Sequence, residues 1–455
     1  MRAFKLGLVT GVVYFAGTLY WITHVMAVYG GLSRPAAILV NALLIAYLAL
    51  FPAVFAIVTR RLVLTHGVAG VLAAPIVWVG TEFGRTYVLT GFPWVLVGYS
   101  QVTVLPIAQL ASVLGVYGVS ALVCAVSASL AYATLDREGR RFLPVGATLG
   151  AVLGVAIWGS LRIERGDLLR EGRAIRVGVV QGNVDQGQKW DPVRAAAIFD
   201  DYIRLTRQAL GEGAEFVLWP ESSTPFNLEE DRADAERLRA IAKQAHVPML
   251  IGSDQVNRRV NPPRFYNAAF LLGADGLTAG VYQKMHLVPF GEYVPFKRLL
   301  FFAAPLVESV GDYAEGDSAS LLPVGAHAVS TSICYEVVYP NLVRRFVRDG
   351  SELLTTITND AWFGQTSAPY QHFAQASMRA IENGRYLARA ANTGISGFVD
   401  PYGRVMAQSA IFQPAVLTED VRLLHDDTLY TRYGDIVAMA SAVITLALVL
   451  FGGRR

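Results

Sequence analysis

The chain has 455 residues, 53% hydrophobic and 16% charged, with a formal net charge of +3. A mean hydropathy of +0.39 excludes a disordered chain, and so small a net charge gives no case for a nucleic-acid partner. Two cysteines, Cys124 and Cys334, exclude a disulfide scaffold and a cysteine-based structural zinc site.

The charge is unevenly spread. Twelve charged residues fall in positions 1–160 and 63 in the 295 positions that follow. The first part reads as membrane and the second as a water-soluble domain, so neither a wholly soluble enzyme nor a bundle that never leaves the lipid fits. A spanning helix needs about 20 mostly apolar residues. Five such stretches are predicted at roughly 6–29, 36–58, 66–81, 103–132 and 142–160, with a sixth near 435–452. The predicted organisation is a membrane domain at 1–161, an outer domain with its connections at 162–434, and a last span with its tail at 435–455. If the spans alternate, Arg2 and Lys5, Arg60 and Arg61, Arg137, Arg140 and Arg141, and Arg454 and Arg455 share one side. The positive-inside rule makes that side cytoplasmic and puts both termini there. Arg34 and Arg85 depart from the rule. Between the third and fourth spans, residues 81–101 (TEFGRTYVLTGFPWVLVGYSQ) are rich in glycine and aromatics. They read either as an interfacial belt of Tyr87, Trp94 and Tyr99, or as a non-helical substrate groove that must be covered by protein or reach water.

From Arg176 onward the pattern becomes short β-rich runs alternating with helical ones. Strands are expected at 175–181, 215–221, 248–253, 268–272, 278–284, 328–336 and 352–359, with helices over 192–210, 231–245 and about 370–383 and two closing strands around Asn392 to Gly394. This predicts a layered α/β domain with helices over the sheet strands. Three strand ends carry chemistry: Glu221 in LWPES, Lys284 in YQKMHLVPFGEY and Cys334 in ICYE. Polar groups at the ends of buried strands are rigidly held and still reach a crevice. From position alone Cys334 reads equally as a buried core thiol. A carboxylate can take a thiol proton, a lysine can stabilise a developing oxyanion, and the Tyr335 N–H can be a second donor. These are the jobs acyl transfer through a thioester needs, although spacing alone does not bring the residues together.

WPES, YQKMHLVPFGEYVP, ICYE and NDAWFG, in this order, resemble the nitrilase superfamily. Within it, the TEF, LTGFPW and GYSQ segments resemble the membrane part of the apolipoprotein N-acyltransferase family. The resemblance implies a helical transmembrane bundle plus a nitrilase-like α/β/β/α sandwich. It implies Glu221 as general base, Lys284 as the oxyanion-stabilising lysine and Cys334 as nucleophile. Glu292 is implied as a second essential carboxylate, Tyr335, Glu336 and Trp362 as supporting the pocket, and Asn359 and Asp360 as its frame. The implied reaction moves an acyl chain from a phospholipid donor, through a cysteine thioester, to the α-amine of a diacylated apolipoprotein. It implies a monomeric, multi-pass protein of the bacterial inner membrane with its catalytic domain on the periplasmic face and no cofactor. Family members usually have eight spans, so the resemblance implies that this chain begins at the third.

Residues 299–309 (LLFFAAPLVES) read either as core packing or as a membrane-dipping lid in which Phe301, Phe302 and Leu306 contact lipid. His286 is expected to be structural or substrate-facing, Trp190 to anchor a loop, and Asp231, Arg232 and Asp234 to form a solvated helix face. The histidines form no metal set by spacing. A nitrilase-type hydrolase using water is the nearest alternative. A transporter is disfavoured by scarce intramembrane ionisable pairs, and a non-catalytic lipoprotein-binding scaffold by the complete Glu, Lys and Cys set.

Overall fold

A computed structural model describes residues 1–136, 141–187, 189, 191–294 and 313–451. The chain divides into two compact units, Met1–Gly166 with Thr428–Arg455, and Asp167–Asp427.

The first unit is helical. Helices α1 (Arg2–Thr18) and α2 (Trp21–Val28) form a pair bent by 57°. At the bend the Leu19 carbonyl accepts from Ile22 N at 3.1 Å and from Asn41 Nδ2 at 3.2 Å. Asn41 lies on α3 (Arg34–His66), which packs on α1 at glycine contact distance. A Cβ on Gly7 would sit 2.4 Å from the Pro52 carbonyl oxygen, and one on Gly11 2.7 Å from the Ala49 Cα. Small residues let helix backbones approach where no hydrophobic force drives association.

Gly67, at φ +66°, ends α3 and a 3₁₀ segment leads into α4 (Ala74–Tyr87). The chain reverses here. Tyr47 donates to the Val88 carbonyl at 2.7 Å, Phe55 and Trp78 meet edge to face at 5.0 Å, and Gly70 abuts Leu62. The expected second and third spans are thus two legs of one helical run, Arg34–Thr90. After α5 (Leu105–Ala108) come α6 (Ala111–Leu135) and α7 (Leu143–Arg165). Among the described residues three helical stretches are long and apolar enough to cross a membrane, or four if the bent pair is one span. The C-terminal apolar helix is described over Ile436–Phe451.

Residues 88–101 leave the helix, and α4 side chains satisfy their backbone. Glu82 Oε1 accepts from Val97 N at 2.8 Å, and Arg85 Nη1 donates to the Trp94 carbonyl at 2.7 Å. From α6, Ser120 Oγ accepts from Gly98 N at 2.9 Å. Trp94 and Tyr99 are buried while Tyr87, Val88 and Leu89 are exposed, so the later part of the segment is covered by protein and the three aromatics do not form one outward-facing belt. The scarce intramembrane charges, Glu82 and Arg85, serve this loop.

The second unit is an α/β/β/α sandwich. Its strands are β1 (Arg173–Gln181), β2 (Phe216–Leu218), β3 (Met249–Asn257), β4 (Arg264–Leu272), β5 (Thr278–Gln283), β6 (Leu322–Val324), β7 (His327–Ile333), β8 (Leu353–Thr358), β9 (Leu387–Ala391), β10 (Gly397–Val399), β11 (Val405–Gln408) and β12 (Ala415–Leu423). One sheet has the order β12-β1-β2-β3-β4-β5 and the other β11-β10-β9-β8-β7-β6. Parallel pairing runs through β1, β2 and β3, and again through β7, β8 and β9. Alternation along each strand divides the core in two. Val177, Val179, Phe216, Leu218, Leu250 and Leu271 face a cluster shared with Val329, Ile333, Leu353, Ile357 and Phe398 of the other sheet. Their neighbours Val180, Val217, Trp219, Met249, Ile251 and Phe270 pack under α8 (Pro192–Gly211) and α9 (Arg232–Ala245), through Phe199, Tyr202, Leu238 and Ile241. On the second sheet, α10 (Pro340–Arg348) packs beside β7 and α11 (Ala368–Asn383) beside β9.

The strand expected at 215–221 stops at Leu218, because Pro220 carries no N–H for a ladder. The one expected at 328–336 stops at Ile333, where Cys334 takes φ +51°. Strand β12 and helix α10 were not predicted; β12 mixes Thr418, Glu419, Asp420 and Arg422 into its apolar run because it is an edge strand. Gly11→Val is expected to lower stability by about 1–3 kcal/mol, since the Ala49 backbone must move. Thermal unfolding in detergent checks this; an unchanged midpoint would remove the α1–α3 contact from the account.

Candidate active site

Lys284 follows β5 and continues its ladder, its N–H donating to the Asn267 carbonyl at 2.9 Å. The side chain is 1% exposed and lies between two carboxylates that are also buried. Nζ is 2.9 Å from Glu292 Oε1 and 3.4 Å from Glu221 Oε1. Burial alone would push this lysine down, but Glu292, then Glu221 and Cys334, outweigh it and hold the ammonium above the usual lysine range.

Each of the four carboxylate oxygens has a hydrogen-bond partner. Asn267 Nδ2 donates to Glu221 Oε1 at 2.7 Å and to Glu292 Oε1 at 2.9 Å. Glu221 Oε2 accepts from Asn359 N at 2.7 Å, and Glu292 Oε2 from Val288 N at 2.8 Å. The glutamates and lysine expected to act together are therefore joined by hydrogen bonds. Asn267 was not anticipated, although a lone amide in the apolar run YNAAFLL is a visible signal.

Cys334 sits where β7 turns into a 3₁₀ helix, Cys334–Val338. A positive φ at a non-glycine residue is costly and marks a site where surrounding structure overrides local preference. Glu336 supplies part of that constraint. Its Oε2 accepts from Ile333 N at 2.7 Å, and its Oε1 accepts from Met285 N at 2.7 Å, His286 N at 3.1 Å and the Tyr282 hydroxyl at 2.7 Å. One carboxylate thus ties the cysteine turn to the residues on either side of Lys284. Burial raises Glu336 to about 7, against the pull of these donors. The Cys334 thiol is pushed above its ordinary value by burial first and by the Glu221 charge second, with Lys284 opposing. These effects favour a neutral thiol at Cys334, and a neutral thiol needs a base before it can react as a nucleophile.

A second buried ionic group underlies the turn. Asp360 Oδ2 meets Arg389 Nη2 at 2.9 Å, and Asp360 Oδ1 accepts from the Thr358 hydroxyl at 2.8 Å. His372 Nε2 lies 3.1 Å from the Cys334 carbonyl oxygen, and its Nδ1 lies 3.0 Å from Arg389 Nη2. A carbonyl only accepts, so Nε2 carries a proton; Nδ1 also lies 3.0 Å from Asp360 Oδ1, and burial and then Arg389 hold His372 below its usual value, with Asp360 opposing. Arg389 and His372 then overcome the effect of burial on Asp360 and hold it at about 2. Asp360 is part of the frame as expected. His372 and Arg389 were not anticipated, because a buried polar residue on an apolar helix or strand gives no sequence cue to its partner.

Tyr335 is buried beside Tyr339, with hydroxyl oxygens 3.2 Å apart, and Trp362 lies in the 3₁₀ turn Asp360–Phe363, directly after Asn359. The His286 ring lies against Tyr339, tilted by 46° with centroids 3.9 Å apart, and burial followed by Lys284 lowers its pKa to about 4, which fits a neutral ring. Asp231 is a helix cap, accepting from Asp234 N at 3.2 Å, and Asp234 pairs with Arg237 at 3.2 Å. Phe301, Phe302 and Leu306, the expected lid contacts, and Trp190 lie outside the described residues.

Residues 176–424 match the carbon-nitrogen hydrolase family, so this unit is an enzyme domain of nitrilase type. A variant of an amidase from Nesterenkonia, of the nitrilase superfamily, has 22% identity and a TM-score of 0.43, covering 58% of this chain and 94% of that one. Residues 1–129 match the apolipoprotein N-acyltransferase N-terminal domain. Apolipoprotein N-acyltransferase of Geobacter metallireducens is 39% identical, over 100% of this chain and 88% of its own length. That of Methylococcus capsulatus is 35% identical, over 95% and 84%. The chain belongs to the apolipoprotein N-acyltransferase family, whose members are membrane acyltransferases.

Two outcomes follow from the ionisation states. Alkylation of Cys334 by iodoacetamide is expected to be slow at pH 7 and to quicken as pH rises past the ordinary thiol value of 9.0; peptide mass analysis reads it, and fast labelling that is flat with pH would mean a preformed thiolate. Asp360→Asn, which strands Arg389 in the interior, is expected to cost about 3–5 kcal/mol of stability. The depressed Asp360 pKa also stabilises the fold above its unfolded value of 3.8, a contribution lost as pH falls towards about 2. Acid unfolding of wild type against the asparagine variant measures both.

Proposed function

We propose that this enzyme transfers an acyl chain from a phospholipid to the α-amine of an S-diacylglyceryl-cysteine at a lipoprotein N-terminus, with Cys334 as the acyl carrier. The observation that carries the reading is the Glu221–Lys284–Glu292 cluster beside a neutral Cys334 thiol, in a chain that also holds long apolar helices.

In the first half-reaction Glu221 takes the Cys334 proton and the sulfur attacks the sn-1 ester carbonyl of the phospholipid. Negative charge gathers on the carbonyl oxygen, opposite the Lys284 ammonium that two carboxylates keep charged. Collapse breaks the ester C–O bond, and the proton on Glu221 passes to the departing lysophospholipid oxygen. A thioester remains. In the second half-reaction the neutral α-amine attacks the thioester carbon, Glu221 takes the amine proton and the C–S bond breaks. The proton returns to sulfur, so Glu221 and Cys334 end as they began. Glu292 and Asn267 hold Lys284 and Glu221 in place through both steps, while Tyr335, Glu336 and Trp362 shape the pocket.

Both substrates are lipids, and drawing one into water would cost about 0.8 kcal/mol per exposed CH₂. A site served by membrane helices avoids that cost. The distribution of basic residues supports an inner-membrane, multi-pass arrangement with cytoplasmic termini and the catalytic domain on the outer face. Phe301, Phe302 and Leu306 guide the acyl chains.

Intact-mass analysis after incubation with a defined phospholipid is expected to show an acyl-sized adduct on wild type and none on Cys334→Ala. Lys284→Ala is expected to slow adduct formation by about 10²–10³-fold, the usual effect of removing an oxyanion donor. A diacylglyceryl-cysteine peptide should discharge the adduct and gain the acyl group. Discharge to free fatty acid with no peptide acylation would instead assign a hydrolase that uses water.

A further inference from the structure

The fold gathers three ligand-type side chains that lie far apart in sequence and away from Cys334. His327 opens β7, Glu352 immediately precedes β8, and His425 lies two residues beyond β12. Their ligand atoms all lie within 4.8 Å of one another. Glu352 Oε2 is the hub, 2.6 Å from His327 Nδ1 and 3.3 Å from His425 Nε2. We propose that His327, Glu352 and His425 form a structural site for a zinc-class divalent cation, with water at the open position.

Four observations carry this. First, two imidazoles and a carboxylate are a zinc-type donor set. At Zn–N and Zn–O distances of about 2.0–2.2 Å, tetrahedral ligands lie roughly 3.3 Å apart. The His425–Glu352 spacing already meets this, and the His327–Glu352 hydrogen bond must open by less than about 1 Å.

Second, the backbones that carry the ligands are bonded directly to one another. Glu352 N donates to the Ala328 carbonyl at 2.8 Å, and Leu424 N donates to the Glu352 carbonyl at 3.0 Å. Third, the other carboxylate oxygen is occupied: Glu352 Oε1 accepts from Ala328 N at 3.2 Å, which turns Oε2 towards both rings. An outer hydrogen bond of this kind orients a ligating carboxylate. Fourth, the His425 side chain is 69% exposed while that of Glu352 is only 8% exposed, so the site is anchored on one side and open to entry on the other.

The charge that opposes a cation here is Arg385. It is offset by Asp427, 3.5 Å away, and its Nη2 donates to the His425 carbonyl at 3.0 Å, which also holds the His425 loop.

The location assigns a structural role. Cys334 follows the opposite end of β7, and at about 3.3 Å per residue the two ends lie roughly 20 Å apart. Because β12 belongs to one sheet and β7 and β8 to the other, a cation here would clamp the two sheets at the end remote from the reaction.

The test uses the full chain in detergent, purified without a polyhistidine tag and stripped with a chelator. Calorimetric titration with Zn²⁺ is expected to give one-to-one binding, and Co²⁺ should show the visible bands of tetrahedral coordination. Zn²⁺ should raise the midpoint of thermal unfolding. His425→Ala, at an exposed position that the fold does not need, should weaken binding at least 100-fold, as should His327→Ala, with the apo proteins unfolding as wild type does. His246→Asn, a surface control elsewhere, should bind as wild type. Absence of stoichiometric binding would overturn the assignment, as would binding that survives both site variants. Chelation should leave thioester formation from phospholipid unchanged; loss of that step in proportion to zinc removed would overturn the structural role.

Discussion

Two carboxylates and one ammonium share a space from which water is almost excluded, and the catalytic unit is organised around that constraint. Moving each ion from water into such a site costs several kcal/mol, and mutual attraction offsets this only if the leftover lone pairs also find donors. Glu221, Lys284 and Glu292 meet the condition because strand ends present unused N–H groups. Asn359 follows β8 and bonds Glu221, and the turn after Lys284 returns Val288 N to Glu292. Asn267, on β4, gives both protons of one amide nitrogen to the two carboxylates. Sheet topology therefore precedes chemistry: the charges are tolerable only where several strands end together.

The same electrostatics act on the Cys334 thiol. With two carboxylates to one ammonium, the cluster carries an excess negative charge, and Glu221 disfavours a thiolate at Cys334. Lys284 opposes this without reversing it. In the proposed reaction a proton stays on sulfur until a substrate carbonyl can take up the negative charge, and Lys284 then serves the oxyanion rather than the thiolate. Geometry is held from two directions. Glu336 binds the Cys334 turn to the segment around Lys284, and His372, braced by Asp360 and Arg389, holds the Cys334 carbonyl. A residue at φ +51° needs such support, since nothing in its own preference keeps it there.

The helical unit meets the same requirement in another setting. Residues 88–101 leave the helix, and their exposed backbone groups would be unaffordable against lipid. Glu82 and Arg85 on α4 and Ser120 on α6 satisfy several of them, and Trp94 is buried in the process. Charges that are rare in such helices are here structural partners of a backbone. Glycines do the complementary work between α1 and α3, where two backbones meet without room for a side chain.

Much was legible in the sequence because it depends on local pattern. The fall in charge before residue 160, the change from long apolar runs to short alternating ones, and the polar residues at the ends of apolar strands are one-dimensional signals. They led to the expected two-part organisation, a layered α/β domain, and Glu221, Lys284 and Cys334 as candidates; the sandwich and Glu292 came from the motif resemblance. Elements whose pattern is blurred by partial exposure were not legible, as with edge strand β12, nor were boundaries decided by one backbone angle, as at Cys334. Asn267, His372 and Arg389 acquire meaning only from partners that other strands bring to them. His327, Glu352 and His425 do so across two sheets. Composition and periodicity determined which surfaces must be buried; only tertiary structure decided which polar groups meet, because the free energy of a buried charge depends on donors and countercharges that the chain folds back to supply.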